Sequence, residues 1–144
     1  MSVDTVDSSY LQSLVGYNAR RAALSIIGLF LERMAVYDLR PVDFSILSLI
    51  AHNPGITSRQ LCATLGIQPP NLVAMVGTLD KRGLIHRTPH RRDGRALSLY
   101  LTHTGERMMR QAEQTAAQLE RDATACLSTA ECRTLMSLLQ KLYL

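Results

Sequence analysis

Residues 55–101, GITSRQLCATLGIQPPNLVAMVGTLDKRGLIHRTPHRRDGRALSLYL, are punctuated so closely that few folds remain open to them. Thr57 stands three residues before Gln60, the spacing of a capping box in which each side chain satisfies an amide of the first turn, so a helix is predicted to start at Ser58. Leu61 and Leu65 lie one turn apart on it, and Gly66 supplies the left-handed residue that ends it. Gln68, Pro69 and Pro70 open the next helix, because a proline at the first helical position has no amide to leave unpaired. Leu72, Val76 and Leu79, with Leu84 beyond, point inward, while Asn71, Ala74, Met75 and Thr78 fall on or beside the outer face. Gly83 stops this helix. Residues 84–88 and 96–101 then read as two short strands joined by a tip at residues 89–95.

A helix-turn-helix followed by a basic β-hairpin is a winged helix, whose second helix can enter the DNA major groove while the hairpin reaches the flanking backbone or minor groove. Charge agrees with that geometry. From Lys81 to Arg95 there are six cations (Lys81, Arg82, Arg87, Arg91, Arg92, Arg95) against Asp93 alone, a local excess of five in a chain whose net charge is only +4. Positive charge is therefore concentrated where a phosphate backbone would be met. The candidate DNA-contacting residues are Ser58 on the first helix, Gln68, Pro70, Asn71, Ala74 and Thr78 on the second, and Arg87, Arg91, Arg92, Asp93 and Arg95 on the wing.

These residues, with others outside the stretch, resemble the MarR (multiple antibiotic resistance regulator) family of transcription factors. The resemblance is carried by Pro41 and Phe44 with Leu47, Leu61 with Leu65-Gly66-Ile67, Leu79 with Gly83-Leu84-Ile85 and Arg87, Arg92-Asp93-Gly94-Arg95, and Leu101-Thr102 with Gly105, in an order that covers nearly the whole chain. It implies a homodimeric repressor that binds an operator and is released by a small, often aromatic, anion. It also implies that Asp93 braces Arg95, and that Arg95 enters the minor groove. Family recognition helices often carry arginine on the outer face, where this chain has Ala74 and Thr78. Bidentate arginine readout is thus not expected, which leaves Gln68, Asn71 and apolar contact from Pro70 or Ala74 to thymine methyls.

The fold class expected is mostly α with a small β-hairpin wing, as one unit over residues 1–144. Residues 41–101 form the winged helix, and residues 8–37 and 102–144 form dimerisation helices. A chain of 144 residues with 47% hydrophobic composition can bury one sizeable core. Apolar residues from Leu11 through Leu14, Val15, Ala19, Ala22, Ile26 and Phe30 to Met34 recur at three and four, predicting one unbroken helix over residues 8–37. Pro41 opens another, with Phe44, Leu47 and Ile50 inward. Thr102 caps a long helix expected to reach about residue 127, and Ser128 with Glu131 forms a second capping box before Leu135, Leu138, Leu139 and Leu142. Such leucines, and a first helix too long to bury its whole stripe, want a second copy of the chain, and a two-fold dimer reads a palindromic operator. Packing of the last helix on the chain's own first helix is the alternative.

Tyr17 and Arg21 sit one turn apart on the first helix. The resemblance places them on the wall of an effector pocket, with Phe44 and Met108 in the same cavity; read as residues alone, the first two make a surface cation–π pair and the last two belong to the core. Three cysteines without paired spacing fit a reducing compartment, and Cys62, Cys126 and Cys132 read as buried small hydrophobes, a thiol switch being the alternative. Four histidines lack ligand spacing, so no metal or other cofactor is expected. No nucleophile elbow, phosphate loop or metalloprotease helix is present, so the chain is not expected to be an enzyme. Neither a signal peptide nor a span of about 20 apolar residues is visible, giving a cytoplasmic protein without membrane contact. The rival function is a winged-helix module that binds an acidic protein partner.

Overall fold

The computed structural model describes residues 5–92 and 94–144. Its elements in chain order are α1 (Ser9–Gln12), α2 (Val15–Met34), a 3-10 turn (Ala35–Tyr37), α3 (Pro41–His52), β1 (Ile56–Thr57), α4 (Ser58–Leu65), α5 (Pro69–Lys81), β2 (Ile85–Pro89), β3 (Leu97–Leu101), α6 (His103–Ala123) and α7 (Thr129–Gln140). The three strands form an antiparallel sheet in the order β1-β3-β2. Ile56 pairs with Leu99, and Ile85 with Leu101. Beneath the sheet a single core takes Ile46, Leu47 and Ile50 from α3, Leu61 from α4, Leu72, Val76 and Leu79 from α5, and Met109, Ala112 and Leu119 from α6.

Local signals place most of the helix ends. Thr57 Oγ1 accepts from Gln60 N at 3.2 Å, and Gln60 Oε1 accepts from Thr57 N at 3.0 Å. Gly66 is left-handed (φ 66°), and its N–H reaches Cys62 O. The Ser128–Glu131 box is reciprocal as well, and the Ser128 N–H and hydroxyl hold the Glu131 carboxyl below its ordinary range. At α3 the buried Asp43 carboxylate accepts from Arg40 N and from the Arg40 guanidinium, each at 3.0 Å.

Four expectations need correction. The first helix is not continuous: Leu14 is extended (φ −99°, ψ 128°) between α1 and α2. The Asn18 amide donates to Gln12 O and Leu14 O, and the Ser13 hydroxyl donates to Tyr10 O, so side chains take carbonyls that a helix would use. Secondly, α6 ends at Ala123, where the Thr124 hydroxyl donates back to Glu120 O, short of residue 127. Thirdly, β1 adds a strand to the expected hairpin, one that spacing does not announce because two residues carry no periodicity. Lastly, Cys126 is exposed and Cys62 and Cys132 are half-buried within one chain, so none is a fully buried hydrophobe.

Of the stripe on α1 and α2, only Phe30 and Met34 are buried; Leu11, Leu14 and Val15 are exposed. The Arg33 guanidinium pairs with Asp122, tying α2 to α6 and holding the Asp122 carboxyl below its ordinary range. No helix of the described residues is long and apolar enough to cross a membrane.

Candidate nucleic-acid interface

The helix-turn-helix is built by what its prolines and glycine leave out. Pro69 and Pro70 bring no amide to the first turn of α5, and the next two amides, from Asn71 and Leu72, both use Gln68 O at 3.0 and 3.1 Å. Leu72, Val76 and Leu79 are buried. Asn71, Ala74 and Thr78 lie outside that buried face, with Gln68 and Pro70 at its amino-terminal end. Ser58 is half-buried on the first turn of α4 beside Arg59, a cation outside the charge run of the wing.

The wing is anchored at its root. Thr102 N donates to Leu84 O at 3.0 Å, the Thr102 hydroxyl donates to Gly83 O at 2.6 Å, and the same hydroxyl accepts from Gly105 N at 3.0 Å. These bonds clamp the start of α6 to the turn between α5 and β2. At the tip, His90 N bonds Ala96 O at 3.0 Å, and Arg92 N donates to His90 Nδ1 at 3.2 Å. Arg91, Arg92 and Arg95 are exposed there. Asp93, the expected brace, lies outside the described residues.

Arg82 and Arg87 are engaged elsewhere. Arg82 donates to Asp38 O at 2.7 Å and Tyr37 O at 2.9 Å, closing the turn after α2. Arg87 is ion-paired with Asp80 at 3.3 Å, so a carboxylate one residue outside the counted run offsets its charge. The basic surface is thus narrower than the sequence count and centred on the tip.

With this geometry, comparison with known proteins is decisive. The MarR family profile matches residues 37–96. The structure of the transcriptional repressor CouR bound to a 23-mer DNA duplex is 34% identical, covers 96% of this chain and 99% of that one, and superposes with a TM-score of 0.90. The chain belongs to the MarR family. CouR bound to p-coumaroyl-CoA gives a TM-score of 0.85 at the same identity, over 96% and 97% of the two chains. A cysteine-to-serine mutant of MarR from E. coli complexed with operator DNA is 26% identical over 90% of this chain and 94% of that one, with a TM-score of 0.83. In sequence, a putative transcriptional regulatory protein for the hcr operon of Thauera aromatica is 29% identical over 130 residues, 90% of this chain and 78% of that protein. This MarR-family chain is a DNA-binding transcriptional regulator and not an enzyme, and the module for an acidic protein partner is not favoured.

The residues suggested for the effector are not gathered within one chain. Phe44 is half-buried and meets Phe30 edge-on, ring centroids 5.7 Å apart, and Met108 packs on the same core. Tyr17 and the exposed Arg21 stand on the opening turns of α2, roughly 20 Å and 14 Å from Phe30 at 1.5 Å per residue. Cavities occur elsewhere among the described residues. One of about 430 Å³ lies between α3, the wing root and α6, with His52, His86, Tyr100 and Arg110 on its wall. Another of about 680 Å³ lies between the α3–α4 turn and His90. The third, about 570 Å³, is an apolar groove between Ile26, the end of α6 and α7.

Proposed function

We infer that the chain acts as a two-fold homodimeric repressor, that paired α5 helices and wings bind an imperfect palindrome, and that a small aromatic anion releases it. The observation that carries the dimer is apolar surface at both chain ends with no cover among the described residues. Leu135, Met136, Leu138, Leu139 and Leu142 are exposed, and α7 has no buried residue; at the other end Val6, Tyr10, Leu11, Leu14 and Val15 are exposed. Monomers rarely expose contiguous apolar surface of that kind, and a second copy brings both ends together. The groove walled by Leu127, Leu135, Met136 and Leu139 is continuous with that face.

The DNA-contacting set keeps Gln68, Pro70, Asn71, Ala74 and Thr78 of α5, Ser58 of α4, and Arg87, Arg91, Arg92, Asp93 and Arg95 of the wing. Support for an effector comes from CouR, solved with p-coumaroyl-CoA. Because Tyr17 and Arg21 lie far along α2 from Phe44 and Met108, a cavity using all four is completed by the second copy. A ligand there would change the spacing of the recognition helices, which must match grooves repeating every ~34–36 Å.

Sedimentation equilibrium and selection from a random duplex pool test this reading. The full chain is expected to sediment as a dimer and to select half-sites about 10 base pairs apart. Removing residues 135–144 should give monomers that lose ~10²–10⁴ in affinity, since two linked contacts become one. A monomer with full affinity, or a selected site without two-fold character, contradicts the dimer. Titration of the complex with p-coumarate and p-coumaroyl-CoA tests release.

A further inference from the structure

Pro70, Ala74, Gly77 and Lys81 recur on α5 at i, i+4, i+7 and i+11, one helix face, opposite the buried Leu72, Val76 and Leu79. Before Lys81, that face has no side-chain group able to hydrogen-bond a base edge. Asn71 and Thr78 flank it on one side, and the Thr78 hydroxyl donates to Ala74 O at 3.1 Å and is already engaged within the helix. Val73 flanks the other side and is 61% exposed. There is no arginine on α5 with which to read guanine.

No contact among the described residues explains Gly77. Glycine in a helix interior lowers stability relative to alanine, so it persists where the fold or a ligand requires it. Its φ is not positive. A Cβ built there meets nothing within 4 Å. What glycine gives at such a position is close approach of backbone to something outside the chain.

We propose that Gly77 marks the closest approach of α5 to the operator's base edges, and that this helix selects its site by the C5-methyl groups of thymine, packed on Pro70, Val73 and Ala74. The inference rests on the DNA-binding reading above. Its physical basis is that thymine alone presents a methyl group in the major groove, which apolar side chains can recognise without a hydrogen bond. Arg59, Lys81 and the wing arginines supply the phosphate contacts that hold such a face in place but carry no sequence information.

The test uses the full chain and an operator selected from a random duplex pool. Each thymidine is replaced in turn by deoxyuridine, which removes the methyl group and keeps the base pairing. A weakening of about fourfold in affinity is expected at about two positions per half-site, the value of one buried methyl group. Ala74→Gly should lower affinity for the thymidine operator and abolish the deoxyuridine effect at one of those positions. Gly77→Ala should raise the melting temperature while weakening binding at least about tenfold, opposite signs that a purely structural glycine would not give. Indifference to every deoxyuridine, or a Gly77→Ala protein that binds as tightly as wild type, overturns the proposal alone. A pool that yields no preferred sequence overturns it together with the reading on which it rests.

Discussion

Gly105→Ala should strongly destabilise this protein, although helix propensity predicts the reverse. Gly105 is buried near the start of α6, and an added Cβ would stand 2.1 Å from Leu84 O and 3.0 Å from Leu84 C. To bring the oxygen distance even to 3.0 Å, the two backbones must part by roughly 0.9 Å. Neither can yield cheaply, because Leu84 O accepts from Thr102 N and Gly83 O accepts from the Thr102 hydroxyl across the same junction. Overpacking of this kind costs ~1–3 kcal/mol, and breaking one or two of those bonds adds ~1 kcal/mol each. A total of about 2–5 kcal/mol is a large part of the ~5–15 kcal/mol that stabilises a domain, and it overrides the ~0.5–1 kcal/mol that alanine gains over glycine in a helix. Urea denaturation with both proteins at one concentration measures it, with Gly77→Ala as the control in open space. If Gly105→Ala lies within about 0.5 kcal/mol of wild type, the clamp between the winged helix and α6 is not as tight as argued.

Arg95→Ala should weaken specific and random duplex together by roughly 1–3 kcal/mol, whereas Arg91→Ala or Arg92→Ala should mainly lower the salt slope, by about 0.9 for each phosphate no longer neutralised. Titrations at several salt concentrations separate the two, and an unchanged affinity in the Arg95 variant would remove the wing from the mechanism. Arg82→Ala is expected to lower stability by ~1–3 kcal/mol with the salt slope unchanged, because its guanidinium bonds two backbone carbonyls; a shallower slope at full stability would return it to the DNA-binding set. The Asp122 and Glu131 carboxyls are depressed in the folded chain, the first chiefly by Arg33 and the second by Ser128. Their contribution is therefore complete above the unfolded value of about 4 and is lost as pH falls through the lower folded one. Asp122→Asn or Glu131→Gln should flatten the acid limb of stability against pH, measured by denaturation from pH 6 downward to about 2, and an unaltered limb would show that these bonds do not persist in solution.

Features written in neighbouring residues are legible without the fold. Thr57 with Gln60, Ser128 with Glu131, Gly66 and Pro69 each act within one turn, so spacing alone carries them. What spacing misreads depends on distant partners. Arg82 counts as a phosphate contact in the sequence because nothing in a linear count shows Tyr37 and Asp38 beside it. The helix break at Leu14 escapes because Asn18 is an ordinary helix residue until its amide finds Gln12 O. Likewise, spacing assigns the outer face of α5, but the engaged Thr78 hydroxyl and the open space at Gly77 emerge only in three dimensions. The leucines of α7 are apolar in any reading, and the structure adds that the described residues leave them uncovered.

The two residues of β1 have a consequence out of proportion to their length. Ile56 and Thr57 pair with Leu99 and Ser98 of the wing's second strand, and the Gly55 N–H adds a bond to Leu99 O at 2.9 Å. Thr57 is also the residue that caps α4. One short segment is thereby fastened to the hairpin on one side and to the helix-turn-helix on the other, so no free joint lies between them. The hairpin behaves as an outrigger bolted to the hull: the root of the wing is fastened to the start of α4 when the chain folds, before any operator is met. Adjustment to DNA must then come from the duplex or, in the homodimer inferred above, from its two halves turning as whole bodies.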